Sequence, residues 1–377
     1  MRLLLFSDLH LDTHFKFAGA GARLRRTALR TTLGKVMALA QEQSVDAVLC
    51  GGDLYEHDRC SPDTAAFLRA TFEAVDLPVF LAPGNHDWYS SASLYHQVDW
   101  SPNVHVFTSD RLEPVPLADG LTLWGAAHRA PANTDGFLDD FRVDRGGINV
   151  ALFHGSEQAA LCFQESGKAP HAPFRAEQIE AAGLDQAMLG HFHTPRDGLR
   201  HTYPGNPDPL SFGESPGRGV VIFDIADNGQ ISQSRHSVAT SEVHDVTVSL
   251  DGVASASDIR RRVADAVAPL SGSVRVTLVG EVAPEVDVSD DLGGVDDGRL
   301  ADDGRLADDG RLAALIVRAG AVTVGYDFDV IRAEMTVRGQ FVRDVLDAPD
   351  LDDDTRRRVL ITGMRALDGR DQELDVR

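Results

Sequence analysis

The sequence predicts an α/β protein: a large domain of mixed strands and helices, then a smaller α+β unit and a helical tail. Short continuous apolar runs recur through the first half of the chain, and amphipathic stretches of helical period separate the first three. Strands that are apolar on both faces lie buried inside a sheet, and their alternation with helices makes βαβ units. The 377 residues also leave room for one large and one smaller domain, each able to bury a core.

Taken in order, Met1 to Ser7 forms the first predicted strand and Leu24 to Gln43 the first helix. Ala47 to Cys50 is a second strand, Thr64 to Val75 a second helix, and Pro78 to Ala82 a third strand. Ile148 to Phe153, Ala187 to Leu189 and Gly219 to Asp224 read as further strands. The character changes beyond about residue 239, which sets a first domain of residues 1–238. Val243 to Leu250 alternates as a strand, Ala254 to Ala268 reads as a helix, and Ser273 to Val279 alternates again. An acidic stretch over 281–311 follows, with three tandem Asp-Asp-Gly-Arg-Leu-Ala units between Asp296 and Ala313. Units this short are not solenoid repeats, and Asp-Asp-Gly forms turns, so the stretch reads as an expanded loop. It lacks the pattern of an EF-hand calcium loop. The loop is expected to lead into a helix at Leu312 to Arg318, closing a second domain of residues 239–337. The tail, 338–377, holds two amphipathic stretches joined at Ala348-Pro349-Asp350.

Chemistry-bearing residues gather where the apolar runs stop. Asp8-Leu9-His10 follows the first run, Gly52-Asp53 the second and Gly84-Asn85-His86-Asp87 the third. His154 ends the fourth, and Gly190-His191-Phe192-His193 follows the fifth. In open α/β sheets functional groups converge at the carboxyl ends of the strands, so these segments can meet in one crevice. Carboxylate and imidazole suit manganese, iron, zinc and related divalent ions. Cys50, Cys60 and Cys162 lack metal-ligand spacing, and Cys50 reads as a core residue. A dinuclear metal site is the leading hypothesis.

In this order the motifs resemble the signature of calcineurin-like metallophosphoesterases, over roughly the first 225 residues. The resemblance implies a sandwich of two mixed β-sheets flanked by helices. It implies that Asp8, His10, Asp53 and His193 hold one metal. Asp53 as a bridge, with Asn85, His154 and His191, would hold the other. His86 would be the catalytic histidine and Asp87 its orienting partner. Two ions clamped this way can neutralise a phosphodiester and deliver a deprotonated water, with His86 protonating the leaving oxygen.

A looser resemblance narrows the substrate. Tyr203-Pro204-Gly205-Asn206-Pro207-Asp208-Pro209-Leu210-Ser211-Phe212-Gly213-Glu214 is similar to a segment of the SbcD-type DNA-repair exonuclease branch. Thr336 to Arg343 resembles C-terminal stretches of that branch, and residues 239–337 its small capping domain. The implied activity is a Mn-dependent DNA exonuclease, with two divalent metal ions, expected to be Mn2+, as cofactors. The implied partners are DNA, an SbcC-like coiled-coil ABC ATPase docked by the C-terminal helices, and optionally a second copy of the chain. Some nucleases of the branch carry histidine three residues after the Gly-Asp aspartate. Here that position is Glu56, followed by His57, and neither is assigned a catalytic role.

The net charge of −22 opposes simple DNA binding, because polyanions favour basic proteins. It favours a phosphoesterase of small nucleotides or phosphoproteins on the same centre. Alternatively it is a composition-wide trait: Lys16, Lys35 and Lys168 are the only lysines, and Asp greatly outnumbers Glu. That usage looks halophilic, and at 1 M salt the Debye length falls to about 3 Å. The second explanation is preferred. Arg23, Arg25, Arg26 and Arg30 follow the Asp8 loop and are the group expected to meet DNA. Arg260 to Arg262 and Arg356 to Arg358 read as solvated helix faces. His128 is a weaker candidate for touching substrate. A non-catalytic DNA-end or partner-binding module is a third class, disfavoured by the complete ligand set. With no signal peptide or membrane span in the sequence, a cytoplasmic protein without membrane association is expected.

Overall fold

The computed structural model describes residues 1–15, 18, 21–131, 136–163, 170–214, 217–284, 286, 288 and 311–369. The chain divides into two compact units, Met1–His244 and Asp245–Arg377. The helical tail thus belongs with the second unit.

In the first unit, β1 (Arg2–Phe6) leads into α1 (Ala22–Glu42), β2 (Ala47–Cys50), α2 (Pro62–Glu73), β3 (Val79–Leu81), α3 (Leu94–Gln97) and β4 (Val104–Val106). Next come β5 (Glu113–Ala118), β6 (Leu121–Gly125), β7 (Ile148–His154), a 3₁₀ turn at Gln158–Phe163, α4 (Ala176–Ala181) and β8 (Gln186–Gly190). β9 (Arg196–Asp197), β10 (His201–Tyr203), β11 (Gly219–Ile225) and β12 (Ile231–Ser237) complete it. One sheet has the order β12-β11-β1-β2-β3-β4 and the other β5-β6-β7-β8-β10-β9. Both are mixed: β1, β2, β3 and β4 run parallel, while β11 and β12 pair antiparallel. β6, β7 and β8 run parallel, with β5 antiparallel at the edge.

The expected sandwich of two mixed sheets is the observed fold. Leu3, Leu5, Leu49, Val221 and Phe223 of one sheet share a core with Leu123, Val150, Leu152 and Met188 of the other. Each fully buried Leu contributes about 1.5–3 kcal/mol by leaving water. Successive strand residues point to opposite faces, and Leu4, Phe6 and Val48 between them are buried as well, which is why these strands read as continuous apolar runs. On α1 the residues Leu29, Leu33, Val36, Met37 and Ala40 are buried at helical spacing. Helix α2 starts where it does because Ser61 caps it, accepting from the Thr64 N–H, with Pro62 in the first turn.

The second unit opens with β13 (Val243–Ser249), α5 (Ala256–Val267), β14 (Gly272–Val282) and β15 (Leu312–Val324), in a sheet of order β13-β14-β15. Its core joins Ile259, Val263 and Val267 of α5 to Val274, Val276, Leu278 and Val317. Then α6 (Phe328–Arg332), α7 (Val337–Leu346) and α8 (Asp353–Leu367) pack on one another through Ile331, Val342, Leu360 and Met364. The helix expected at Leu312 to Arg318 is instead part of β15, which pairs parallel with β14. β15 is a partly exposed edge strand, and its opening Leu312-Ala313-Ala314-Leu315 carries no strand alternation, while the β-branched Ile316 and Val317 suit a strand. The tandem repeats lie largely outside the described residues. Among the described residues no helix is long and apolar enough to cross a membrane.

Candidate metal centre

The predicted site residues all fall at carboxyl ends of strands. Asp8 and His10 follow β1, Asp53 follows β2 and Asn85 to Asp87 follow β3; His154 ends β7, while His191 and His193 follow β8. The first three strands belong to one sheet and the last two to the other, so the crevice draws on both. Backbone conformation marks the same places. Asp8 (φ 55°), His10 (φ 51°), Asp53 (φ 51°) and His191 (φ 110°) all adopt positive φ. Non-glycine residues hold such angles only where their surroundings over-determine them, at a cost of order 1–3 kcal/mol each. Gly52 is required for two reasons: its φ is 100°, and a Cβ there would sit 2.7 Å from His154 Nδ1.

The side chains close into a cage. His10 Nε2 lies 3.2 Å from His193 Nε2 and 3.7 Å from Asp53 Oδ2. The same Asp53 oxygen is 3.3 Å from His154 Nε2. Asn85 Oδ1 lies 3.0 Å from His154 Nε2 and 3.1 Å from His191 Nδ1. Asp8, His10 and His193 place donor atoms within 4.8 Å of one another, as do Asp8, Asp53 and His154. Asp8, Asp53 and His154 are buried. The His154 Nδ1–H donates to Gly51 O at 2.8 Å, which turns the Nε2 lone pair toward Asp53 and Asn85. Acceptors that face acceptors call for a cation between them. Burial works against its charge, yet Asp53 and Asp8 push the His154 imidazole up to about 9, so a proton takes that role when no metal is bound. Burial likewise opposes the charge on Asp53, but His154, His86 and His10 hold its carboxyl well below the usual range. The donor set therefore fits divalent metal ions.

The partner of His86 differs from the expectation. Asp87 is fully buried, and its oxygens accept the N–H groups of Gly84 (2.6 Å), Leu54 (2.6 Å) and Asp53 (3.1 Å) and the hydroxyl of Tyr95 (2.6 Å). It fastens the loops after β2 and β3 together and does not hydrogen-bond the His86 ring. That ring faces Glu56, whose Oε2 lies 3.1 Å from His86 Nδ1, while Oε1 accepts from His10 Nδ1 at 2.8 Å. Glu56 is thus the functional-site residue that the motifs missed. The available signal was its position, three residues beyond Asp53 on a loop that must reach the crevice. The His86 N–H donates to Asp53 Oδ1 at 2.8 Å.

A second missed layer lies behind the ligands. Glu214 Oε1 is 3.9 Å from His193 Nδ1, and Asn206 and the Leu210 N–H hold Glu214 in place. Arg218 donates to His193 O at 2.6 Å. The segment Tyr203 to Glu214 therefore supports His193. His128 is buried and donates from Nε2 to His154 O at 2.9 Å, so it braces a candidate ligand and is not placed to touch substrate. Arg25 is also buried, at 2% exposure, against Asp208, Pro209 and the Phe15 ring. Arg30 is engaged by Asp63 and Thr64. Of the arginine group expected at DNA, these two have structural partners.

Comparison with known proteins agrees with this geometry. A model of the calcineurin-like phosphoesterase family matches residues 1–195. The uncharacterized metallophosphoesterase YhaO of Bacillus subtilis is 25% identical over 243 residues, 60% of this chain and 57% of that protein. The DNA double-strand break repair protein Mre11 of Methanopyrus kandleri is 26% identical over 302 residues, 70% of this chain and 62% of that protein. Its namesake in Halobacterium salinarum is 27% identical over 300 residues, covering 72% and 69%. The chain spans about three fifths of the length of the first two relatives. With its family model matching more than half of its length, the chain belongs to the calcineurin-like phosphoesterase family.

Proposed function

We propose that the protein is a dinuclear-metal phosphodiesterase, and specifically a Mn-dependent DNA exonuclease of the double-strand-break repair type acting with an SbcC-like ATPase. The observation that carries this reading is the cage in which Asp53 Oδ2 faces both His10 Nε2 and His154 Nε2, with His86 at its edge. Asp8, His10, Asp53 and His193 would hold one ion; Asp53, Asn85, His154 and His191 would hold the other. Two cations held there would neutralise the phosphodiester and lower the pKa of water. Asn85 contributes an uncharged oxygen. Asp53 holds the His86 backbone, and Asp87 locks the two loops. With its Nδ1 against Glu56, His86 keeps Nε2 to pass a proton to the leaving oxygen. DNA as substrate is supported by the Mre11 relatives and by the Tyr203 to Glu214 segment beneath His193. An ATPase partner is supported by exposed apolar side chains from α6 to the start of α7, where Val330, Met335 and Val337 are exposed by 61%, 95% and 77%.

A second reading, a phosphoesterase of small nucleotides or phosphoproteins, is favoured by the net charge of −22 and by the structural use of Arg25 and Arg30. Purified protein with Mn2+ should be incubated, at low and high salt and with and without a coiled-coil ATPase, with labelled linear duplex DNA and a panel of small phosphoesters. Stepwise release of nucleotides from DNA ends is expected. Turnover of small esters alone under every condition would overturn the nuclease reading in favour of the second.

A further inference from the structure

Glu56 joins two parts of the centre that the motifs treat separately. Its backbone is clamped on both sides: its N–H donates to Leu11 O at 2.9 Å, and the next residue, His57, donates to His86 O at 3.0 Å. The N–H groups of Arg59 and Cys60 both donate to Glu56 O at 3.0 Å, closing the turn behind it. From this anchored position one oxygen reaches His10 Nδ1 at 2.8 Å and the other reaches His86 Nδ1 at 3.1 Å. The Glu56 side chain is only 19% exposed, and the His10 and His86 rings meet edge to face, 4.8 Å apart.

An ionised carboxylate only accepts hydrogen bonds. Each imidazole it meets must therefore present an N–H, which places the Nδ1 proton on both rings and leaves both Nε2 atoms for other work. For His10, Nε2 is the atom facing Asp53 and His193. Partners behind a ligating imidazole fix its tautomer and orientation and typically change metal affinity or activity by about 10–100-fold.

We infer that Glu56 is a positioning residue that fixes the tautomers of His10 and His86 together, so that a metal ligand and the catalytic histidine are aligned by one carboxylate. This rests on the proposed phosphodiesterase reading. A single oxygen-to-nitrogen change tests it. In Glu56→Gln, one arm of the amide accepts as before, but the other is an NH₂ donor aimed at a ring N–H. That ring must rotate or change tautomer.

The experiment compares the full-length wild type, Glu56→Gln, His86→Asn and the double variant. Long-range ¹H–¹⁵N NMR of the metal-free proteins reads the histidine tautomers. Calorimetry reads Mn2+ affinity and stoichiometry, and bis(p-nitrophenyl) phosphate with Mn2+ reads kcat and KM. In wild type, an Nδ1–H directed at Glu56 is expected on both His10 and His86, whether or not the ring carries a second proton. Glu56→Gln is expected to disturb at least one of them, weaken Mn2+ binding at unchanged stoichiometry, and lower kcat about 10–100-fold with KM within twofold. The double variant should be no slower than His86→Asn by the full Glu56→Gln factor, because the two act as a unit. Unchanged tautomers and affinity in Glu56→Gln, or fully additive losses in the double variant, would overturn the inference. So would loss of a whole Mn2+ equivalent, which would make Glu56 a ligand. If the wild type fails to hydrolyse any diester, the phosphodiesterase reading fails, while the NMR and calorimetry still decide the role of Glu56.

Discussion

The buried acids of the candidate site and the paired acids of the second unit are used in opposite ways. In Met1–His244, Asp8 and Asp53 are buried beside imidazoles, and no arginine or lysine pairs with either among the described residues. In Asp245–Arg377, acids with partners sit near the surface against arginine: Asp258 with Arg261, Asp353 with Arg356, Glu334 with Arg338. A buried carboxylate without a fixed counter-charge is expensive unless a cation completes it, whereas an exposed ion pair costs and gains little. The contrast separates the net charge of −22 from the crevice: among the described residues the paired acids of the second unit are solvated, while Asp8 and Asp53 are buried in the candidate site.

The most severe way to break this contrast is to remove the catalytic imidazole beside the buried pair. His86→Asn should keep Mn2+ affinity within about threefold, since no proposed ligand atom is lost, while kcat falls about 10²–10⁴-fold. Calorimetry alongside steady-state kinetics checks both halves, and loss of a metal equivalent would move His86 into the ligand set.

Proton linkage gives a smaller, graded effect. Burial lowers the affinity of His86 for its proton, but Asp53 and Glu56 together push it up to about 9. Its contribution to the stability of metal-free protein is complete below the unfolded value of 6.5 and is lost as pH rises through about 9. Glu56 works in the other direction. Burial opposes its charge, while His10 and His86 draw it down to about 2, so its contribution is present above 4.5 and is lost as pH falls through about 2. Metal-free protein should therefore be most stable near pH 4.5–6.5 with respect to these two groups, and should weaken on the alkaline side. Metal ligands must be deprotonated. Mn2+ binding at pH 7 should accordingly release protons, His154 being a source. Calorimetry in buffers of different ionisation enthalpy measures that release; none at all would contradict the assignment of His154.

At the other end of the scale lies the exposed pair of the second unit. Arg261→Ala should change unfolding free energy by no more than about 0.5 kcal/mol in chemical denaturation, because an i,i+3 surface pair contributes only about 0.3–0.5 kcal/mol. A loss of several kcal/mol would show that the surface charges of this unit are not interchangeable decoration.

The parts of the molecule that were legible in the sequence share one property: a local signal that the tertiary structure reinforces. β1, β2, β3, β7 and β8 are apolar on both faces, and each is followed at once by its motif. The edges were not legible. β4, β5 and β9 are short and partly exposed, so no periodicity announces them. β15 read as helix because pairing with β14, not local pattern, decides its conformation. Within the site, adjacency in sequence points Asp87 at His86, but its buried carboxylate is consumed by backbone N–H groups of two loops. Glu56 carries no local signal, because its contacts reach residues 46 and 30 positions away. Arg25 shows the converse: a basic cluster on paper, a buried structural side chain in the fold.

The most direct test of the account is the metal content of the crevice. Crystals grown with saturating Mn2+ and measured at the manganese absorption edge should show two anomalous peaks per chain, with the Asp53 carboxylate between them. One peak or none, with Asp8, His10, Asp53, Asn85, His154, His191 and His193 otherwise in place, would contradict it.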